Sequence, residues 1–361
     1  MAKAKKPKVA LALQGGGAHG AFTWGVLDRL LEEDAFEVVG ISGTSAGSVN
    51  AIVYAHYYEL GGTEAAREGL ETLWRRISEI GSVFSPVPST PYNEWLDWMK
   101  GQGVGLPKEL EAPIFFNMFD SFTRTFSPYQ FNPLNVNLLR DLLEEMVDFE
   151  QIGSCTCPKV FVSATHVEGG KVKVFSGKEL SVDAVDASTA LPFVFQAAEV
   201  DGQHYWDGGY MGNPSLFPLY YETDAEDIIV VHINPIERPD ELPMQAGEIL
   251  NRVNEITFNS SLIGEMRAIA FVQKLLDEDM LKAKAREHFT RVYMHSIRDD
   301  AFMKSLDVVS KYQCDWPFIS ALKEQGRKAA EHWLNHCAKH VGKRDSVDLQ
   351  SEFLVKKTSD R

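Results

Sequence analysis

Apolar residues along the chain switch between a strand-like and a helix-like period, and the switch repeats. Val9 to Leu13 is a short apolar run that reads as a strand. From about Gly20 to Glu33 the apolar positions Ala21, Val26, Leu27, Leu30 and Leu31 recur at helical spacing. Val38 to Ser42 reads as a second strand, followed by a helix-compatible run, and residues 63–80 as a helix. Residues 136–150, "VNLLRDLLEEMVDFE", predict another helix, with Asn135 placed to cap it. Lys159 to Thr165 and Lys171 to Phe175 alternate as strands around the turn Glu168-Gly169-Gly170. Asp201-Gly202 is a hairpin signal with the short strand His204 to Trp206 after it, and Asp227 to Ile233 reads as a buried strand. Glu248 to Glu287 is mostly helical, Arg291 to Ile297 is a late strand, and residues 316–342 are helical again. The order predicts a three-layer α/β/α domain with a helical C-terminal portion.

Two adjoining segments carry the candidate chemistry. Gly15, Gly17 and Gly20 in "QGGGAHG" fit G-x-G-x-x-G between a strand and a helix, the pattern that cradles a dinucleotide pyrophosphate. That reading needs an acidic residue at the end of the second strand to bind ribose hydroxyls. Glu37 precedes the strand, and its end carries Gly43-Thr44-Ser45-Ala46-Gly47 instead. This is G-x-S-x-G between a β-rich run and a helix-compatible run, the context of a nucleophile elbow. Gly43 and Gly47 keep side chains off a turn where strand and helix pass closely, and Ser45 projects its hydroxyl into the open. A serine that transfers acyl groups needs amide donors for the oxyanion, and Gly15, Gly16 and Gly17 can present theirs without a Cβ in the way. The glycine loop is therefore expected to be an oxyanion hole.

The nucleophile needs a base. None of the ten histidines stands in a motif that marks it. Asp207-Gly208-Gly209 is more pointed, because a carboxylate at a strand end followed by two glycines opens onto a cleft and can be closely approached.

Taken together, Gly15-Gly16-Gly17-Ala18-His19-Gly20, Gly43-Thr44-Ser45-Ala46-Gly47 and Asp207-Gly208-Gly209 resemble, in order and spacing, the three signature blocks of patatin-like phospholipases. The resemblance spans about residues 8–235 as a catalytic domain of patatin-like (lysophospholipase-like) fold, leaving 236–361 as a mainly helical portion packing on it. It implies a serine–aspartate dyad, with Ser45 as nucleophile and Asp207 as base. It further implies hydrolysis of lipid acyl esters through an acyl-enzyme, with no metal or organic cofactor. The family pattern has Arg or Lys where this chain has His19, so a cationic His19 would assist only in a pH-dependent way, or the ring simply packs at the helix start. A Ser-His-Asp triad through His204 or His232, both near strand ends, is the alternative base assignment. Alternative functions on the same scaffold are acyl transfer, general carboxylester hydrolysis, and lipid binding without catalysis.

Composition narrows the setting. The chain has 361 residues, 44% of them hydrophobic and 24% charged, enough to bury a full core. Its net charge of −15 argues against nucleic acid as a partner and against a strongly electrostatic grip on anionic membranes; the lipid or fatty-acyl ester substrate and transient membrane contact are what the resemblance implies. "MAKAKKPKVA" runs into the first strand with no apolar signal region, and its Lys3, Lys5, Lys6 and Lys8 read as a solvated tail. Val38 to Tyr58 lacks charged side chains but is broken by Gly, Ser, Thr and Asn, so it is not read as membrane-spanning. Cys155, Cys157, Cys314 and Cys337 match no redox or zinc spacing and are expected as reduced thiols, which suits a cytoplasmic enzyme. Nothing in the sequence sets an oligomeric state. Phe84 to Phe131 concentrates aromatics, including Trp95, Trp98 and Phe116, broken by prolines, and reads either as a second small core or as a lid and acyl pocket.

Overall fold

The computed structural model describes residues 6–84, 125–154, 158–238 and 242–353. Trp95, Trp98, Phe116 and most of the aromatic-rich segment, with Cys155, Cys157, Lys3 and Lys5, lie outside the described residues. A mixed sheet of eight strands forms the centre, in the order β5-β6-β3-β2-β1-β7-β8, with β4 on the free side of β3. The strands are β1 (Lys8–Leu13), β2 (Glu37–Thr44), β3 (Lys159–His166), β4 (Lys171–Ser176), β5 (Ala198–Val200), β6 (Gln203–Asp207), β7 (Asp227–Val231) and β8 (Tyr293–Ile297). β3, β2, β1, β7 and β8 run parallel; β4, β6 and β5 are antiparallel hairpin additions.

Apolar runs such as Val9–Leu13 exist because both sheet faces are covered. Val9, Leu11 and Leu13 point into one core with Ile229 and Val231, while Ala10 and Ala12 point into the other with Ile228 and Val230. The first core is closed by α1 (Gly20–Glu33), α2 (Ala46–Phe84), α3 (Leu138–Met146), α4 (Val182–Thr189) and α6 (Trp316–His336). The second is closed by α5 (Ala246–Asp277) and the short helices Phe217–Glu222 and Leu349–Phe353. This is the expected three-layer α/β/α arrangement. The portion after residue 235 is built into it, since β8 extends the sheet beside β7 and α6 lies along α1. There Arg327 reaches Asp28 and Glu32 across the two helices.

Several boundaries differ from the sequence expectation for local reasons. The helix over 63–80 is the second half of α2, which starts at the elbow and is interrupted at Gly61-Gly62, where Gly62 takes a φ of 70°. The helix over 136–150 is capped by Asn137, not Asn135: the Asn137 side chain accepts from Leu139 and Arg140 N–H at 3.1 and 3.4 Å. Asn135 instead takes a left-handed φ of 47° in the preceding turn. That helix stops at Met146, because Asp148 caps a new turn by accepting the Gln151 N–H at 3.1 Å. Lys6 and Lys8 are no free tail, for they pair with Asp34 and Asp224. No helix of the described residues is long and apolar enough to cross a membrane.

Candidate active site

The register of β3 brings the serine and the aspartate together. One edge of β3 pairs with β4; the other pairs with β2 as far as Thr44↔Ser163 and then with β6 from Ala164↔Asp207. β2 runs parallel and β6 antiparallel to β3, so the two strands meet end to end at adjacent positions of one neighbour. Thr44 leads into Ser45, and β6 ends on Asp207. Gly208 permits the closure: a Cβ there would stand 2.1 Å from the Ser163 carbonyl oxygen.

Ser45 sits at the elbow with a φ of 53°, a conformation that costs a non-glycine residue about 1–2 kcal/mol. The surroundings hold it there. Its N–H donates to Ser188 Oγ at 2.9 Å, and that hydroxyl donates to the Ser163 carbonyl at 2.7 Å. Its carbonyl accepts the Ser48 and Val49 N–H groups as α2 begins. A Cβ on Gly47 would lie 2.2 Å from the Leu13 carbonyl oxygen, which is why strand and helix can cross so tightly.

Asp207 is fully buried, at 0% exposure. Its Oδ1 accepts the Gly209 N–H at 2.7 Å, while Oδ2 has no hydrogen bond of ordinary geometry among the described residues. Burial pushes the carboxyl up to about 6; the Ser45 hydroxyl, the Gly209 N–H and the Lys311 charge pull the other way. The serine is thus close enough to favour the charged carboxylate without a formed bond to Oδ2, a looseness common in unliganded sites.

The glycine loop differs from expectation in which amides it offers. The Gly15 N–H is taken by Asn213 Oδ1 at 2.6 Å, so this amide is not offered to the site. Among the described residues no protein acceptor takes the N–H of Gly16, Gly17, Ala18 or Ala46, and all four residues line one cavity with Ser45 and Asp207. A buried polar cluster fixes the loop. Gln14 donates to Asn259 Oδ1 at 2.9 Å and accepts from the Ile233 and Asn234 N–H groups, while Asn234 Nδ2 donates to the Gly15 carbonyl at 2.9 Å. Sequence reasoning missed Gln14, Asn213, Asn234 and Asn259. Gln14 adjoins the glycine loop and Asn213 follows Gly212, but Asn234 lies beyond the end of β7 and Asn259 sits mid-helix in α5, where no local signal marks them.

His19 packs and carries no charge. Its Nε2 meets Ser310 Oγ at 2.8 Å, it is 3% exposed, and burial with the nearby Lys311 pushes the imidazole down to about 3. Of the two readings open for His19, a pH-dependent cation or a ring packed at the helix start, this geometry fits the second. The charge near the loop comes from Lys311, in the 3₁₀ turn Val309–Tyr312, whose backbone backs directly onto Gly17. Gly20 lets the start of α1 rest against Ala46. His204 and His232 do not join the site. His204 alternates to the opposite face of β6 from Asp207 and binds Glu168 at 2.6 Å; His232 is buried and pushed down to about 3. Among the described residues lining the cavity, neither is found.

The cavity measures about 610 Å³. Its wall is mostly apolar, from Ile77 and Ile80 of α2, Leu139 and Leu142 of α3, and Leu191 and Val194 after α4. Of the aromatic-rich segment, Phe131 lines it. Size and lining suit a ligand with a hydrocarbon chain and one polar reacting group.

The patatin-like phospholipase family model matches residues 11–220. An "Uncharacterized NTE family protein" of Mycobacterium bovis is 28% identical over 250 residues, covering 68% of this chain and 56% of that protein. NTE family proteins of two Mycobacterium tuberculosis strains match with the same identity and coverage. The chain thus spans 56% of the length of these curated relatives. Among solved structures, VipD from Legionella pneumophila superposes with a TM-score of 0.41 at 14% identity, covering 92% of this chain and 67% of that one. ExoU in the ExoU–SpcU complex of Pseudomonas aeruginosa gives 0.36 at 15%, covering 94% and 52%.

Proposed function

The chain belongs to the patatin-like phospholipase family, and from that premise we propose that it is a serine acyl hydrolase cleaving lipid acyl esters with Ser45 and Asp207 as its dyad. The observation that carries this reading is the meeting of the β2 and β6 ends along β3, which opens both side chains onto one apolar cavity. In the first half-reaction Ser45 Oγ attacks the ester carbonyl and Asp207 Oδ2 takes the hydroxyl proton. The developing oxyanion is met by the unpaired amides of Gly16, Gly17 and Ala46. The tetrahedral intermediate collapses, the bond to the alcohol breaks, and the proton passes from Asp207 to the departing alkoxide. Water then attacks the acyl-serine, giving its proton to Asp207, and the fatty acid leaves as Ser45 regains its proton.

An ordinary aspartate is a weak base for this work. With its carboxyl raised to about 6, Asp207 holds a proton far better than one at 3.8, yet is still mostly ionised at neutral pH. Its unpartnered Oδ2 is where the serine proton would go. The cavity supports a substrate with an acyl chain over a small ester. A fluorophosphonate probe should label the wild type and not Ser45→Ala, and a lipid-ester panel should show turnover that both Ser45→Ala and Asp207→Asn lose. An unlabelled wild type that still binds lipid would replace hydrolysis by lipid binding. Turnover surviving in Asp207→Asn but lost in His204→Ala or His232→Ala would replace the dyad by a triad.

A further inference from the structure

Lys311 is a cation in a setting that leaves it incompletely used. Its ammonium donates to Asn234 Oδ1 at 2.9 Å and to Asn254 Oδ1 at 2.7 Å, and stands 5.0 Å from the centre of the Phe258 ring. Two neutral amide oxygens and a ring face leave its third N–H with no acceptor among the described residues. No carboxylate of the described residues lies within ion-pair distance of it. Glu255 of α5, whose charge it feels, is already held by Arg238 at 2.7 Å and Arg252 at 3.0 Å, and Asp207 acts on it only through space. Burial pushes the ammonium down to about 8, so it is still mostly charged at neutral pH. Such a charge is costly in an apolar setting unless a counter-ion arrives.

A second donor points to the same counter-ion. Because Asn254 Oδ1 faces Lys311, its Nδ2 is the amide end left over, and no protein acceptor takes it among the described residues. Lys311 and Asn254 line the cavity that holds Ser45 and Asp207. An ammonium N–H and an amide N–H side by side suit a group with several acceptor oxygens around one negative centre. In a glycerophospholipid only the glycerol carbons separate such a group from the acyl ester.

We propose that Lys311 and Asn254 form a subsite for the phosphate of the substrate, making the enzyme selective for acyl esters that carry a phosphate close to the scissile bond over neutral acylglycerols. This rests on the hydrolase reading above. It also gives the C-terminal portion a task in substrate choice, since both residues lie beyond the stretch matched by the family model.

The test compares kcat/KM for 1-palmitoyl-lysophosphatidylcholine and 1-monopalmitoylglycerol, presented at equal surface fraction in neutral detergent micelles. The wild type should favour the phosphate ester. Lys311→Met should lower the ratio of the two values about ten- to a hundredfold, mainly through KM, the usual worth of a charge-assisted hydrogen bond. Lys311→Arg should keep the ratio within about threefold, since the charge remains. Asn254→Asp, which neutralises Lys311 without removing it, should lower the ratio like Lys311→Met and covers the case in which that variant does not fold. An unchanged ratio in Lys311→Met or Asn254→Asp overturns the proposal. Equal loss on both substrates also does so, assigning Lys311 to the charge balance of Asp207. Calorimetry with dodecylphosphocholine below its micelle concentration reads the subsite without turnover: binding should be lost in Lys311→Met, and equal binding by both proteins overturns it. Binding of inorganic phosphate without dodecylphosphocholine would make this a free-anion site and overturn it as well. A wild type that binds dodecylphosphocholine through Lys311 but cleaves no ester would sink the hydrolase reading and leave the phosphate subsite standing.

Discussion

Asp207→Asn should disable the enzyme and stabilise the protein, and the size of the gain follows from the burial of the carboxyl. The side chain has 0% exposure, and its carboxyl is raised from 3.8 to about 6, chiefly by desolvation. At about 1.4 kcal/mol for each tenfold change in proton affinity, the native state carries about 3 kcal/mol of cost for holding the carboxylate above pH 6. The sign is fixed by which state keeps the proton longer. The folded protein holds it up to about pH 6, whereas the unfolded chain releases it near 3.8, so the cost shrinks as pH falls through that window and is gone below it. Asn is neutral throughout, nearly isosteric, and its oxygen can still accept the Gly209 N–H. Urea titrations of the two proteins should therefore separate by about 3 kcal/mol at pH 7–8, by roughly half that near pH 5, and by almost nothing below pH 4. Esterase activity of the variant should fall by about 10³-fold or more at every pH. A variant less stable than the wild type at pH 8, or a difference that does not change with pH, would refute the reasoning and make Asp207 a satisfied structural carboxylate.

Ser45→Gly and Ser45→Ala should be equally inactive, but the glycine variant should be more stable by about 1 kcal/mol because it relieves the left-handed φ of 53°; equal melting curves would contradict stored strain at the elbow. Gly47→Ala should cost about 3 kcal/mol or more in urea unfolding, since its Cβ would meet the Leu13 carbonyl at 2.2 Å and only backbone movement relieves that. Each methylene bound in the cavity is worth about 0.8 kcal/mol, roughly fourfold in kcat/KM, so p-nitrophenyl esters should improve with chain length. Val194→Trp, which adds bulk to the cavity lining, should shift the optimum to shorter chains; a wild type that prefers acetate would remove the acyl pocket.

The parts legible in the sequence are those whose chemistry is local. An elbow serine needs glycines two positions either side, and Asp-Gly-Gly at a strand end adds a carboxylate that can be closely approached, so Ser45 and Asp207 can be put forward as a pair without any fold. Gln14, Asn213 and Asn234 do not, because an isolated polar residue has no period, and its partners lie as many as 220 positions away. They meet only because β1 and β7 are neighbours in the sheet. Lys311 is hidden for the same reason: it reads as a surface lysine until its turn is seen against Gly17. Asn135 and Asn137 show a different limit, since Asn favours both a cap and a left-handed turn, and only the backbone decides which residue takes which place. The reading of Phe84 to Phe131 as an acyl pocket falls largely outside the described residues; the described wall takes Phe131 from that segment and ordinary core positions of α2 and α3 beside it.

The ladder that joins β2, β3 and β6 makes the gap between Ser45 and Asp207 a digital quantity. Strand register moves in whole residues of about 3.3 Å, and a slip by one would also turn the side chain to the opposite sheet face. Gradual drift is therefore closed to this pair, which is either in register or lost. The cavity wall obeys no such rule, because a methylene more or less on α2, α3 or the segment around Val194 alters it by fractions of an ångström. On the proposed reading, the acyl groups accepted can change over generations of substitution while the Ser45–Asp207 pair stays where the sheet put it.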